Sequence, residues 1–102
     1  MAVFIDDAFL PYGRMKMCHM IADSREELWM MADRIGVARR WIQNPFEWGE
    51  HFDVCMSKRK LALEAGAVPI SYRELVVKAQ KRDPALRAKL EELELEKKRG
   101  GV

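Results

Sequence analysis

MKMCHMIADSREELWMMADRIG, residues 15–36, is the stretch from which the rest of the chain can be placed. Its first part, Met15 to Ala22, is apolar and short, and predicts a strand closed by Asp23 and Ser24. Ser24 followed by Glu27 has the spacing of a capping box, in which hydroxyl and carboxylate satisfy free backbone N–H groups at a helix start. Leu28, Met31, Ala32 and Ile35 then recur on one helical stripe, and Gly36 stands where a left-handed residue would end the helix. A strand running directly into an amphipathic helix is the building unit of an α/β fold.

The same pattern extends in both directions. Val3 to Ile5 predicts a first strand ending in Asp6-Asp7, with Pro11 and Gly13 punctuating a loop. Val37 to Ile42 has the apolar ends of a strand but carries Arg39-Arg40 inside it. Gln43 to Glu50, with Pro45 and Gly49, reads as a loop presenting Phe46 and Trp48. Phe52 to Cys55 predicts another strand, and Ser57 to Ala65 a helix ended by Gly66. Ala67 to Ile70 predicts a strand whose Pro69 confines it to a sheet edge. Ser71 and Glu74 repeat the capping-box spacing and open a helix to about Arg82. Asp83-Pro84 starts a final one, since proline suits the first helical turn. The expected architecture is α/β: a small, at least partly parallel sheet of 3–5 short strands covered by helices, with a charged C-terminal helix. Residues 1–82 form the expected domain, and residues 83–102 the charged helix with a frayed tail from Lys97 to Val102.

Bulk properties narrow the setting. The chain has 102 residues, enough for one core, and its 49% hydrophobic and 33% charged content is that of a folded domain. Eighteen basic residues nearly balance sixteen acidic ones, so a nucleic-acid partner would need a local basic patch. No run approaches the ~20 apolar residues of a membrane span. Cys18 and Cys55 are too few for a disulfide scaffold, so a reducing cytoplasm is expected.

Candidate site residues follow from strand alternation. One face of the second strand carries Cys18, Met20 and Ala22, and the other His19, Ile21 and Asp23. In the Phe52 strand, Val54 and Met56 join the apolar side, while His51, Asp53 and Cys55 share the opposite one. If these strands are neighbours in register, His19, His51, Asp53 and Asp6 converge. Such a set could hold zinc or another first-row metal, hold magnesium beside a phosphate, or work as a general acid and base. The ligands lack a diagnostic spacing, so no tightly bound structural metal is expected, although a divalent cofactor suits the residue types. Arg34, Arg39, Arg40 and Arg73 are the candidates to receive phosphate or carboxylate, and Asp23 either joins the site or caps the helix. Bland roles compete with each of these. His19 could be a hydrogen-bonded core histidine, His51 and Asp53 could pin a loop, and Lys58-Arg59-Lys60 reads as a solvated helix face. The sequence has no glycine-rich phosphate loop, no dinucleotide fingerprint, no HExxH, no GxSxG and no CxxC.

The segments Val3-Phe4-Ile5-Asp6-Asp7, Cys18-His19-Met20-Ile21-Ala22-Asp23, Glu27-Leu28 and Ala32-Asp33-Arg34-Ile35-Gly36 resemble a family of small phage and bacterial proteins, the domain of unknown function numbered 4031. His51-Phe52-Asp53-Val54, Ala65-Gly66-Ala67 and Arg73-Glu74-Leu75 extend the resemblance, which covers roughly residues 3–77. It implies a phage or bacterial cytoplasmic setting and no particular chemistry. Three functions are therefore expected in descending order. The first is binding or processing of a phosphorylated ligand such as a nucleotide, with His19, His51, Asp53 and Asp6 at the centre and Arg34 and Arg39 receiving the anion. The second is a non-catalytic module that binds a host protein through the Met- and Trp-rich surface or the last helix, or a second copy of the chain through Leu86, Leu90 and Leu93. Nucleic-acid binding through Arg39, Arg40, Trp41 and residues 58–60 ranks last.

Overall fold

The computed structural model describes residues 2–45, 47 and 49–99, and of residues 86, 90 and 97–99 the backbone alone. The order of elements is β1 (Val3–Ile5), β2 (Leu10–Tyr12), β3 (Met15–Ala22), α1 (Arg25–Ile35), a 3-10 turn (Arg39–Trp41), β4 (Phe52–Cys55), α2 (Met56–Glu64), β5 (Val68–Pro69), α3 (Tyr72–Gln80) and α4 (Pro84–Arg99). The five strands make one mixed sheet, so the α/β class holds.

β3 is its centre because it is the longest strand and pairs with three others, β1, β2 and β4. On one edge it meets β4, antiparallel, with Cys18 opposite Val54 and His19 opposite Asp53. On the other edge it meets β1, with Phe4 opposite Ile21, and then β2, with Pro11 opposite Lys16. Among the described residues the parallel component is the β1–β5 pair. Gly13 falls in the expected loop, but Pro11 does not. Leu10–Tyr12 is a fully exposed strand, and Gly13-Arg14 is its two-residue hairpin loop, with Gly13 at φ +61. Proline is tolerated there because the strand has only one partner, so its missing N–H leaves no ladder bond unmade. Residues 37–42 hold a 3-10 turn and not a strand; Arg39, Arg40 and Trp41 all point to solvent, so no alternating buried face exists to make one.

The core lies on one side of the sheet. Ile5, Met20, Cys18, Phe52 and Val54, all essentially inaccessible, meet Leu28, Ala32 and Ile35 of α1 and Ala62 of α2. The stripe read from the sequence for α1 is thus the buried one. Ser24 accepts from the Glu27 N–H, while its own hydroxyl donates to the Glu27 carboxylate, a variant of the expected reciprocal box. The other face is covered in part by α3, whose Leu75 and Ala79 are buried. The Ser71 box is complete, with Ser71 accepting from the Glu74 N–H at 3.1 Å and Glu74 accepting from the Ser71 N–H at 3.4 Å. Replacing Ser71 by alanine is expected to cost about 1 kcal/mol, readable as a lower urea midpoint. An unchanged midpoint would show that α3 is held by packing alone.

The final helix begins at Pro84, as the Asp83-Pro84 pair implies, and the Asp83 carboxylate accepts the Ala85 N–H at 3.0 Å. Leu93 is 51% exposed, and the side chains of Leu86 and Leu90 lie outside the described residues, as do Phe46, Trp48 and the tail beyond Arg99. Among the described residues no helix is long and apolar enough to cross a membrane.

Candidate functional site

The site is built where β1 leaves β3. After Ile5 the chain departs from the ladder for residues 6–9, and Phe9 takes a left-handed φ of 46° before β2 resumes pairing. A bulky residue there is strained, and such strain persists only where the surroundings impose it. Here they do. Asp6 is wholly buried, its N–H donates to the His19 carbonyl at 3.0 Å, and its own carbonyl accepts from Arg59 Nε at 2.9 Å. Its side chain replaces the missing strand partner: Oδ1 accepts the His19 N–H at 2.8 Å and the Ala8 N–H at 3.3 Å.

The remaining oxygen, Oδ2, meets His19 Nδ1 at 2.7 Å. Burial pushes the Asp6 carboxyl up, but the hydrogen bonds from the His19 ring, the His19 N–H and the Ala8 N–H together outweigh it and hold the group below its ordinary value. The same contact raises His19 above its ordinary value, against the opposing effect of burial. An ionised carboxylate can only accept, so the proton of the neutral imidazole sits on Nδ1 and the lone pair on Nε2. His51 repeats this arrangement, since its Nδ1 lies 2.7 Å from the Gly49 carbonyl, which likewise can only accept. Its loop is closed by paired backbone hydrogen bonds between Gln43 and His51 and by the Arg25–Glu50 ion pair at 2.8 Å.

Both Nε2 atoms thus face the carboxylate that strand register brings between them. Asp53 Oδ1 lies 3.3 Å from His51 Nε2 and 3.9 Å from His19 Nε2. The imidazoles meet edge to face at 5.4 Å, and one donor atom from each of the three residues falls within a sphere of mutual distances no greater than 4.8 Å. A tetrahedral ion with bonds of about 2.0–2.1 Å sets its ligand atoms roughly 3.3–3.4 Å apart. The His51–Asp53 pair, at 3.3 Å, is already at that spacing, and the His19–Asp53 pair, at 3.9 Å, exceeds it by roughly 0.5 Å. His19 and His51 are about one-fifth exposed and Asp53 is 40% exposed, so the open side faces solvent. Two imidazoles and one carboxylate with open positions are the donor set of catalytic mononuclear zinc and of non-haem iron sites. The Asp6–His19 contact is the carboxylate–histidine support such ligands carry.

The model of a protein of unknown function, DUF4031, matches residues 3–82. The chain belongs to the DUF4031 family. No curated protein and no solved structure matches the chain. The match takes in all three residues of this DUF4031 protein's cluster, Asp6 and α3, and it stops before α4.

His19, His51, Asp53 and Asp6, proposed from alternation, are together. The arginines are elsewhere. Arg34 lies on α1, on the opposite side of the sheet, beside Glu27, Met30 and Gly66. Arg39 is engaged by Asp33 through two hydrogen bonds, at 3.1 and 2.7 Å. Arg73 is exposed on α3, and Asp23, just past the end of β3, accepts the Ala2 N–H at 2.8 Å. Three participants were not legible beforehand. Tyr72 stacks on His19 with ring centroids 5.4 Å apart, and its N–H donates to Asp7 at 3.0 Å. Arg59, read as solvated, reaches the Asp6 carbonyl, and Gly49 orients His51 through its carbonyl alone. A backbone acceptor leaves no signature in residue identity, which is why that contact escapes sequence reading.

Proposed function

We propose that this protein is a small metal-dependent hydrolase in which His19, His51 and Asp53 hold one first-row divalent ion. The observation that carries the reading is the paired orientation of the imidazoles: each Nδ1 is committed to an acceptor, Asp6 or Gly49, and each Nε2 is directed at Asp53. With each Nδ1 proton committed, a neutral imidazole presents its Nε2 lone pair toward Asp53, where one shared cation would hold all three acceptors together. A bound ion of this kind lowers the pKa of a coordinated water to about 7 and polarises a carbonyl or phosphoryl oxygen. Asp53, the most exposed of the three, can offer its second oxygen to a proton of an attacking water. Asp6 keeps His19 in the required tautomer, and Tyr72 covers the His19 ring against solvent on one side. A reducing compartment such as the cytoplasm is part of the reading, supported by two unbridged thiols.

The test is uptake of cobalt(II) by the purified, tag-free chain. One equivalent per chain is expected, with ligand-field absorption bands displaced by zinc. No bands, together with histidine imidazole NMR signals unmoved by zinc, would end the metal reading.

A further inference from the structure

A cleft of about 600 Å³ opens directly beside Asp53 and continues over the neighbouring end of β3 and β4. Its walls are the side chains of Met15, Met17, Val37 and Trp41, with Asp53 at one end and Lys58 at its border. Trp41 is 59% exposed and Met15 48% exposed, so large apolar groups are left in water at the border of a charged cluster. Single exposed apolar residues are ordinary, but several gathered around one concavity mark a binding site.

The charge at the border is positive. Lys58 is half-buried, and its Nζ lies against the left-handed Gly36 at the end of α1, where a Cβ would come within 3.1 Å of it. Among the described residues no carboxylate forms an ion pair with Lys58. Arg40, outside the cleft lining, holds its guanidinium 5.2 Å over the Trp41 ring. Lys58, with no carboxylate partner among the described residues, leaves a cation at the cleft, which is complementary to a ligand that brings an anion.

We infer that this cleft is the substrate pocket of the metal centre and takes a small molecule with a flat apolar body and one anionic group, phosphate or carboxylate. The inference rests on the metal reading, because Asp53 is the residue shared by the cluster and the cleft. The flat body would lie along Trp41 and the methionines, the anion would meet Lys58, and the bond to be cleaved would face the ion.

The experiment is calorimetric titration of the full chain, loaded with cobalt, using 1-naphthyl phosphate, 1-naphthoate and 1-naphthol. The two anions are expected to bind roughly tenfold or more tightly than the neutral probe, a charge-assisted contact being worth about that much. Lys58→Gln should remove this preference and leave naphthol binding unchanged, while Trp41→Ala should weaken all three probes. Neither substitution touches a metal ligand, so both variants should keep the cobalt bands. Of the two anions, the tighter one identifies the anionic group. Equal binding of naphthol and the anions, or an anion preference that survives Lys58→Gln, overturns the inference. A chain that takes up cobalt but binds no probe overturns the pocket and leaves the metal reading standing. Probe binding to a chain that takes up no cobalt overturns the link between cleft and centre, and the metal reading with it.

Discussion

Replacing His51 by alanine is expected to lower the affinity for cobalt or zinc by about a hundredfold or more, the loss of a direct ligand exceeding the 10–100-fold that outer contacts command. His51 suits this test because its backbone, not its ring, closes the 43–50 loop: its N–H and carbonyl pair with Gln43 at 3.2 and 2.8 Å. The side chain contributes one further bond, to Gly49. Alanine therefore removes the ligand nitrogen while the strand pairing that places Asp53 opposite His19 is retained. Competition against a chromophoric chelator measures the affinity, and the thermal transition of the metal-free protein reports whether the fold has moved. An affinity within a few-fold of the parent, with the transition also unchanged, would mean that His51 pins its loop and holds no ion.

The second large effect is expected at Asp6, where fold and site depend on the same carboxylate. Asp6→Ala removes the acceptor of two backbone N–H groups and of the His19 ring in a place with no access to water. Breaking such a buried, charge-assisted set costs about 3–5 kcal/mol, a large share of the stability of a domain this size. Asp6→Asn is gentler on the fold and more informative about the site. Its carbonyl oxygen can still accept the His19 N–H, but its amide would then face His19 Nδ1 as a donor. His19 would have to move its proton to Nε2 and aim it at Asp53, so metal affinity should fall about 10–100-fold. Metal affinity unaltered in Asp6→Asn would dismiss Asp6 as the positioning residue of His19.

The same pair sets a pH profile for the metal-free protein. Asp6 titrates below its ordinary value, so its contribution is complete above ~3.9 and is lost as pH falls through the lowered folded value. His19 titrates above its ordinary value, so its contribution is complete below ~6.5 and is lost as pH rises through the raised folded value. Stability should therefore be greatest between about pH 4 and 6.5, declining on both sides, and Asp6→Asn should flatten both limbs. Chemical denaturation across this range reads the profile, and a parent protein with a flat alkaline limb would contradict the His19 assignment.

What could be read beforehand was local. The strand 15–22, the helix stripe of Leu28, Met31, Ala32 and Ile35, its Gly36 stop and the Ser71 capping box depend on residues within a few positions of one another, and all are present. The period of a strand also placed His19 on the face opposite Cys18, and His51 and Asp53 on the face opposite Val54, before any pairing was known. Alternation says which residues share a face but not which strand lies beside which. That required the β3–β4 register, which sets His19 opposite Asp53, and the departure of residues 6–9 from the ladder, which turns Asp6 into a partner for His19.

The arginines show the same limit from the other side. Guanidinium chemistry made Arg34 and Arg39 anion receivers, yet α1 buries its apolar stripe against the sheet face away from His19, and Arg39 is taken by Asp33. Lys58 and Arg59, indistinguishable in sequence from a solvated run, reach the cleft and the Asp6 carbonyl because α2 starts directly after Cys55 and its first turns pack beside β3. Periodicity and capping arise within a single element, so most elements and their faces could be read from the residues, the exposed strand Leu10–Tyr12 and the 3-10 turn Arg39–Trp41 being the exceptions. Register, layer and the reach of a long side chain follow from non-local burial of those faces against one another, and only the tertiary structure decided which polar groups meet.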